Sequence, residues 1–480
     1  MALLRATSKL LLPSRSPLSV RRFSALSFVP ELRASIPSSL PAIRQLVERY
    51  ERDVQTFQPN DSIQSDVVFA NNHLRLSGID VVGFDYDYTL CHYSEELQHL
   101  IYAMARDYMV SKLRYPEGLS VLQYDPSFAI RGLTIDKQKG LLCKISSHQK
   151  LSNTAVFRGR HRLSRDEIME LYGGSRHISV HDRDSNMEPL NDLFSVAHAC
   201  LFADVVQYMI DRDIEYEPIA LVEDVNQAIT NVHLSGEMHK EVARDLPKYI
   251  EPNPALRPLL ERIRLFDVVI VSARKPKFYT RQRSFRMLDI GHKQVQWHAV
   301  RALHRGEVYT QGSVYQLSKL TGWVGSRVLY IGDNLFSDLV EPSRANGWRT
   351  GAIIRELEDE MRVHRTPEYQ RLAFQISKIE ELMRSIQNEL RSEPVPQNHA
   401  FVDQLVNVHE ALQMEMENLV NVNFGSVFRA DTYPSQFAFL VQRYVDIYSA
   451  RLEDLLEYPS NHTFYPERIA MPHEYPAEAP

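Results

Sequence analysis

The chain has 480 residues, of which 44% are apolar and 24% charged, and its formal net charge is −6. That is ordinary globular composition, and it excludes collagen, low-complexity disorder and a disulfide scaffold. Apolar runs such as Phe437–Val441 fall far short of the about 20 apolar residues that a bilayer span needs. A mildly acidic chain also has no electrostatic reason to bind nucleic acid.

Residues 1–30 carry Arg5, Lys9, Arg15, Arg21 and Arg22, six serines and no acid; the first acidic residue is Glu31. An Arg-rich, Ser-rich, acid-free leader is the signature of an organelle transit peptide. Mitochondrial import is therefore expected, with processing near Arg22-Phe23-Ser24; the alternative is a cytoplasmic protein with a basic tail. Cys91, Cys143 and Cys200 are far apart and lack C-x-x-C spacing, which suits a reducing compartment better than a zinc site or disulfides.

Ile43, Leu46, Val47 and Tyr50 recur at helix spacing and predict a helix over 41–58. Residues 79–84 read as a buried strand and 94–113 as a helix. Apolar runs at Leu141–Ile145 and Thr154–Phe157, within a turn-rich stretch over 128–158, predict a hairpin-bearing insertion. Helices are expected over 164–172 and 190–212, the second capped by Asn186 or Asn191. A helix over 254–264 precedes strands at 266–271, 326–332 and 349–354, the last at the sheet edge. Helices follow over 367–391, 399–421 and 436–457, with the Pro394 and Pro396 break between the first two. The first two helices would permit a homo-oligomer. Strands that alternate with helices imply a parallel α/β sheet, with its ligand at the carboxyl ends of the strands.

Asp85 and Asp87 stand at the end of the first buried strand, followed by Thr89. Two carboxylates crowded at a strand end repel unless a cation lies between them. Oxygen ligands in such a place suit Mg²⁺, which keeps waters and binds phosphate. A calcium loop is excluded because its sixth position should be Gly and here is Leu90. A second strand ends in Gly332-Asp333-Asn334, with Asp338 five residues after Asp333. A third is followed by Ala273-Arg274-Lys275-Pro276, whose lysine can neutralise a carboxylate and a transferring phosphoryl group. Together these residues imply phosphoryl transfer through an aspartyl phosphate.

In this order, D-x-D-x-T, Lys and G-D-x-x-x-x-D resemble the haloacid dehalogenase superfamily. The wording is similar to the cytosolic purine 5′-nucleotidase family and its 5′-nucleotidase domain-containing relatives. The matching stretches are Gly83–Leu90, Phe266–Val271, Ala273–Pro276, Leu329–Asp333 and Gly347–Thr350, with Gly425–Arg429 and Met471–Glu474 near the end. The resemblance implies a Rossmann-like haloacid dehalogenase core with a parallel sheet, an α+β cap insertion and C-terminal helices. Its divisions would be a core over 60–115 and 241–365, a cap over 116–240 and a helical region over 366–480. It implies a Mg²⁺-dependent phosphomonoesterase acting on a small phosphorylated substrate, a nucleotide or similar ester. Asp85 would be nucleophile and metal ligand. Asp87 would be general acid/base, with its backbone carbonyl on the metal. Asp333 would be a metal ligand, Asp338 a supporting residue and Lys275 the holder of the phosphoryl group.

Two departures stand out. Such proteins carry a further strand ending in Thr or Ser, whose hydroxyl binds phosphate, between the 254–264 helix and the 266–271 strand. Only Leu265 separates these here, whereas a strand and a helix need about 5–6 and 11–12 residues. Either Ser272 stands in for that hydroxyl, or a strand-and-helix segment is absent. In the substrate-binding helix, Asn226 and Thr230 occupy the places of an arginine and an aspartate, while His233 is retained as a candidate substrate contact. Purine specificity therefore does not carry over. The alternative to an active phosphatase is a catalytically impaired, nucleotide-binding protein on the same fold; phosphoryl transfer to an acceptor other than water is a third reading.

Overall fold

The computed structural model describes residues 28–36, 40–59, 67–262, 269–271, 275–280, 282–390, 399–468 and 474. The leader expected over 1–30 therefore lies almost wholly outside the described residues, as do Ser272 and the proline break between the long helices. Two compact units emerge, one from the described parts of 1–59 and 370–415, the other from 60–369 and 416–480.

The first unit is helical. Helix Pro41–Thr56 turns Ile43, Val47, Tyr50 and Val54 inward at the predicted spacing. Phe57 stacks on Phe374 with ring centroids 4.5 Å apart, and Lys378 lies 3.4 Å from Asp53.

The second unit is built on a five-stranded sheet in the order Val68–Ala70, Ile447–Ser449, Arg349–Ile353, Val328–Gly332, Val81–Phe84. Its last four strands are mutually parallel; Val68–Ala70 runs antiparallel at one edge. The expected α/β class with a parallel sheet is therefore present. Two expectations are corrected. Arg349–Ile353 is interior, because Ile447–Ser449 pairs with it. Residues 436–457 are not one helix: helix Gln436–Tyr444 gives way to that strand and then to a 3₁₀ turn, Leu452–Glu457. Phe437 and Val441 bury one helical face, but Ile447 and Ser449 point inward on either side of Tyr448 as in a strand.

An antiparallel sheet inserted after the first strand follows the order His161–Arg162, Leu151–Arg158, Leu141–Ile145, Leu133–Asp136, Met187–Leu190. Helices Glu95–Ser111, Ser195–Asp211 and Pro218–Leu234 pack with it around Ile101, Ala105, Phe202, Val205 and Val225. Helix Ser195–Asp211 starts later than expected because Met187–Leu190 is a strand; its first turn is held by Asp192, not by Asn186 or Asn191. The Asp192 carboxylate accepts from Ser195 N at 2.8 Å and Ser195 Oγ at 2.6 Å.

A separate four-stranded sheet runs Gln294–Val295, Phe285–Asp289, Val308–Gln311, Val269–Val271. Among the described residues, Val81–Phe84 pairs only with Val328–Gly332, and Val269–Val271 only with Val308–Gln311. Both are edge strands of β-branched sequence, and both leave apolar side chains in water: Val82 is 39% exposed, Val269 39% and Val271 45%. Parallel strands of such composition are ordinarily covered on both faces.

Away from these edges, Glu360 is buried on helix Glu356–His364 and accepts from Ser426 Oγ. Burial pushes its carboxyl up to about 7. A raised acid binds its proton more tightly folded than unfolded, so its stability contribution is present at low pH and is lost as pH rises through about 7. Glu360→Gln keeps the acceptor and removes the charge. Its melting temperature should gain on wild type between pH 5 and pH 8, by the equivalent of about 1–3 kcal/mol. A constant offset across that range in thermal melts would contradict the shift.

Candidate active site

Two glycines shape the site. Gly83 lies opposite Tyr330 on the neighbouring strand, and a Cβ there would fall 2.8 Å from the Tyr330 ring. Without that Cβ the ring crosses the strand, and its hydroxyl reaches Lys275 Nζ at 3.2 Å. A Cβ on Gly332 would meet Asp338 at 2.5 Å, so only glycine lets Asp338 tuck beneath the strand end.

Asp338 comes from the π-type turn Leu335–Val340. Asn334 caps that turn, its Oδ1 accepting from Phe336 N at 3.2 Å and Ser337 N at 3.0 Å. Asp338 Oδ2 accepts in return from Asn334 N at 3.2 Å. Its other oxygen accepts from the Lys275 ammonium. The same ammonium donates to Asp85 Oδ1 at 2.7 Å. Lys275 thus joins the loops after two different sheets.

Carboxylate oxygens of Asp85, Asp333 and Asp338 lie within 4.8 Å of one another. Asp333 and Asp338 are buried, and Asp85 is partly so. Burial, reinforced by the Asp338 charge, pushes Asp333 well above the usual carboxylate range, with Arg131 opposing. Burial also raises Asp338, against the pull of Lys275. Burial works against the Lys275 ammonium, but the two carboxylates outweigh it and push its pKa up. Three crowded carboxylates share one ammonium, and their mutual repulsion adds to burial in raising Asp333 and Asp338. An all-oxygen donor set of this kind fits a hard divalent cation.

Asp87 is held differently. Its Oδ1 accepts from Tyr93 OH at 2.6 Å. Burial raises its pKa and outweighs the lowering by Tyr93. A partly buried carboxyl inclined to keep its proton is suited to general acid work. Tyr88, next to it, takes a left-handed backbone at φ 52°. Its ring meets Phe194 at 4.9 Å, and Phe194 meets His233 edge-on at 5.5 Å. Burial lowers the His233 pKa, so the ring is neutral near pH 7 and can both donate and accept. Asn226, on the same helix, is turned to Glu188, whose Oε2 accepts from its Nδ2 at 2.8 Å.

The structure therefore brings Asp85, Lys275, Asp333 and Asp338 into one cluster and sets Asp87 on Tyr93. His233 reaches this neighbourhood through ring contacts, and Ser272 lies outside the described residues. Three participants carry no sequence signal. Tyr93 and Tyr330 are ordinary tyrosines until packing aims them. Arg131 is fully buried; its Nη1 donates to the Asp333 carbonyl at 3.1 Å, and its Nε and Nη2 grip both oxygens of Glu356 at 2.9 and 2.6 Å.

The sequence pattern of the 5′ nucleotidase family matches the chain over residues 68–265 and again over 263–476. The chain is 33% identical over 473 residues to a 5′-nucleotidase domain-containing protein of Dictyostelium discoideum, covering 90% of this chain and 79% of that one. It is 34% identical over 481 residues to 5′-nucleotidase domain-containing protein 2 of Rattus norvegicus, with 92% and 86% covered. The Homo sapiens protein of that name is 33% identical over 491 residues, with 94% and 92% covered.

Proposed function

Because the chain belongs to the 5′ nucleotidase family, we propose that it is a Mg²⁺-dependent phosphomonoesterase on a haloacid dehalogenase core, hydrolysing a nucleoside monophosphate or a similar ester. The observation that carries this reading is Lys275, bound to both Asp85 and Asp338 at the carboxyl end of the parallel sheet with Asp333 alongside.

Asp85 Oδ attacks phosphorus, a P–Oδ bond forms and the ester P–O bond breaks. Asp87 gives its proton to the departing alkoxide. It then takes a proton from water, whose oxygen attacks phosphorus, breaks the P–Oδ bond and releases orthophosphate. Lys275 orients Asp85 through its hydrogen bond and offsets charge on the phosphoryl oxygens. Asp85, Asp333 and the Asp87 carbonyl would hold Mg²⁺, which when bound offsets the repulsion between carboxylate and phosphate. Asp338 fixes Lys275, and His233 and its ring neighbours face the leaving group. The test is orthophosphate release from a panel of nucleoside monophosphates with Mg²⁺ and with a chelator. Release that is indifferent to metal contradicts the reading.

A specific observation favours a second reading, of a binding protein with impaired turnover. The family match breaks at residues 263–265, the junction where the sequence leaves no room for the Thr/Ser-bearing strand. Among the described residues, Val81–Phe84 and Val269–Val271 each pair on one side only and are partly exposed. A further strand beside Val81–Phe84 would cover that edge and could carry the phosphate-binding hydroxyl. Nucleotide binding by calorimetry with no orthophosphate release supports this reading, and multiple turnover excludes it.

The basic leader supports mitochondrial delivery. A reporter carrying residues 1–30 should enter mitochondria, and one that stays cytosolic would remove that part of the proposal.

A further inference from the structure

Between the core and its inserted α+β part lies a cavity of about 210 Å³. It sits where the chain leaves the central sheet, at residues 88–98, and where it returns, since Tyr93 bridges Ile250 and Ser94 N donates to Tyr249 O. His92 lines it, is 3% exposed, and neither of its ring nitrogens has a hydrogen-bond partner. Arg355 also lines it. Its Nη2 donates to Glu251 at 3.0 Å, while its buried Nη1 has no hydrogen bond and only a loose ion pair with Glu358 at 3.9 Å. Gln98, also on the wall, has every polar atom engaged: Nε2 donates to Tyr88 OH and Leu193 O, and Oε1 accepts from Ala197 N. The contrast matters, because buried polar groups are ordinarily paired and each exception calls for a partner.

The rest of the lining sets the chemistry. Tyr88, Tyr93 and Tyr124 line it with aromatic surface, together with Leu193 and Val196. The volume is below the about 300–1,000 Å³ of a drug-sized site, which limits the occupant to one or two rings. Glu95 on the wall, with Glu251 and Glu358 on Arg355, outnumber the one guanidinium, so a phosphate is disfavoured. A neutral imidazole offers one donor and one acceptor. We propose that this hinge cavity binds a neutral heteroaromatic ring with a cyclic-amide edge, of nucleobase size, stacked among the tyrosines and hydrogen-bonded to His92 and Arg355.

Such a site would report to the catalytic carboxyl. Tyr93 lines the cavity, and its hydroxyl is the 2.6 Å partner of Asp87. A ring packed on Tyr93 restrains that hydrogen bond and the hinge together. This coupling rests on the phosphatase reading; the binding itself does not.

The experiment is calorimetric titration of the full chain with uracil and with hypoxanthine, without substrate. Wild type should bind at least one of them with a Kd below about 1 mM. His92→Leu should weaken it at least ten-fold, and Asp85→Asn should leave it unchanged, which separates this cavity from the catalytic cluster. Val196→Trp fills the cavity from the opposite helix and should abolish binding; it decides the matter if near-ultraviolet dichroism shows His92→Leu unfolded. No binding by wild type, or equal binding by wild type and a folded Val196→Trp, overturns the proposal. Binding without any phosphate release would leave the site standing and count against the phosphatase reading alone.

Discussion

Asp85→Asn should lower orthophosphate release by about 10³-fold or more, as loss of a covalent nucleophile does. The amide has nearly the shape of the carboxylate, so the Val81–Phe84 strand and its pairing with Val328–Gly332 have no reason to change. What changes is chemistry. The amide is a poor nucleophile and brings no charge, and Lys275 loses one of its two carboxylate partners. The effect belongs in kcat, because the lost bond forms only after substrate is bound. A KM effect alone would mean that Asp85 merely helps to hold substrate or metal. Release equal to wild type would remove Asp85 as nucleophile. The comparison needs a wild type that turns over, and the open edge beside Asp85 bears on that. Among the described residues, Val81–Phe84 pairs on one side only, with Val328–Gly332, and no second neighbouring strand brings a hydroxyl to Asp85. Wild type and variant both silent, with nucleotide binding intact, is the outcome expected of the impaired reading.

Much of this site was legible because its residues end strands, and strands of this kind announce themselves. Ile79–Phe84 and Val328–Gly332 are short apolar runs rich in β-branched residues, each closed by a carboxylate. The parallel class followed from their alternation with helices. The pairing order did not, since Ile447–Ser449 lies between Val68–Ala70 and Arg349–Ile353, a contact across hundreds of residues that local pattern does not encode. The same contact explains the misjudged helix over 436–457: its apolar spacing suits a helix as far as Tyr444, and only the sheet draws the remainder into a strand. The expected Asn cap of Ser195–Asp211 is absent because strand Met187–Leu190 shifts the start to Ser195, where Phe194 stands at the cap position and Asp192 accepts from Ser195. The candidate acids and lysine could be read from sequence; the groups that hold them could not. Tyr330 matters because Gly83 leaves room for its ring, a relation between two strands.

Arg131 should cause the largest loss of stability of any single residue around the site. Its guanidinium is fully buried, forked onto both oxygens of Glu356, bonded to the Asp333 carbonyl, and set 4.9 Å from the Phe437 ring. Arg131→Met preserves much of the stem's packing. It leaves Glu356 without its partner and the Asp333 carbonyl without a donor. Breaking a fully buried pair from one side costs about 3–5 kcal/mol; Glu356 keeps a quarter of its side chain in water, so about 2–3 kcal/mol is expected, and the midpoint of chemical denaturation should fall accordingly. Arg131→Lys should rescue little, because an ammonium cannot reproduce the two-pronged grip. Residue 131 leads into strand Leu133–Asp136 of the inserted sheet, whereas Glu356 and Asp333 follow strands of the core. The loss should therefore also loosen the geometry of Asp333, and any turnover should fall by more than the unfolded fraction explains. A loss below about 1 kcal/mol would put the fork among ordinary surface pairs. The alignment of Asp333 would then rest on Gly332 and the Asn334-capped turn alone.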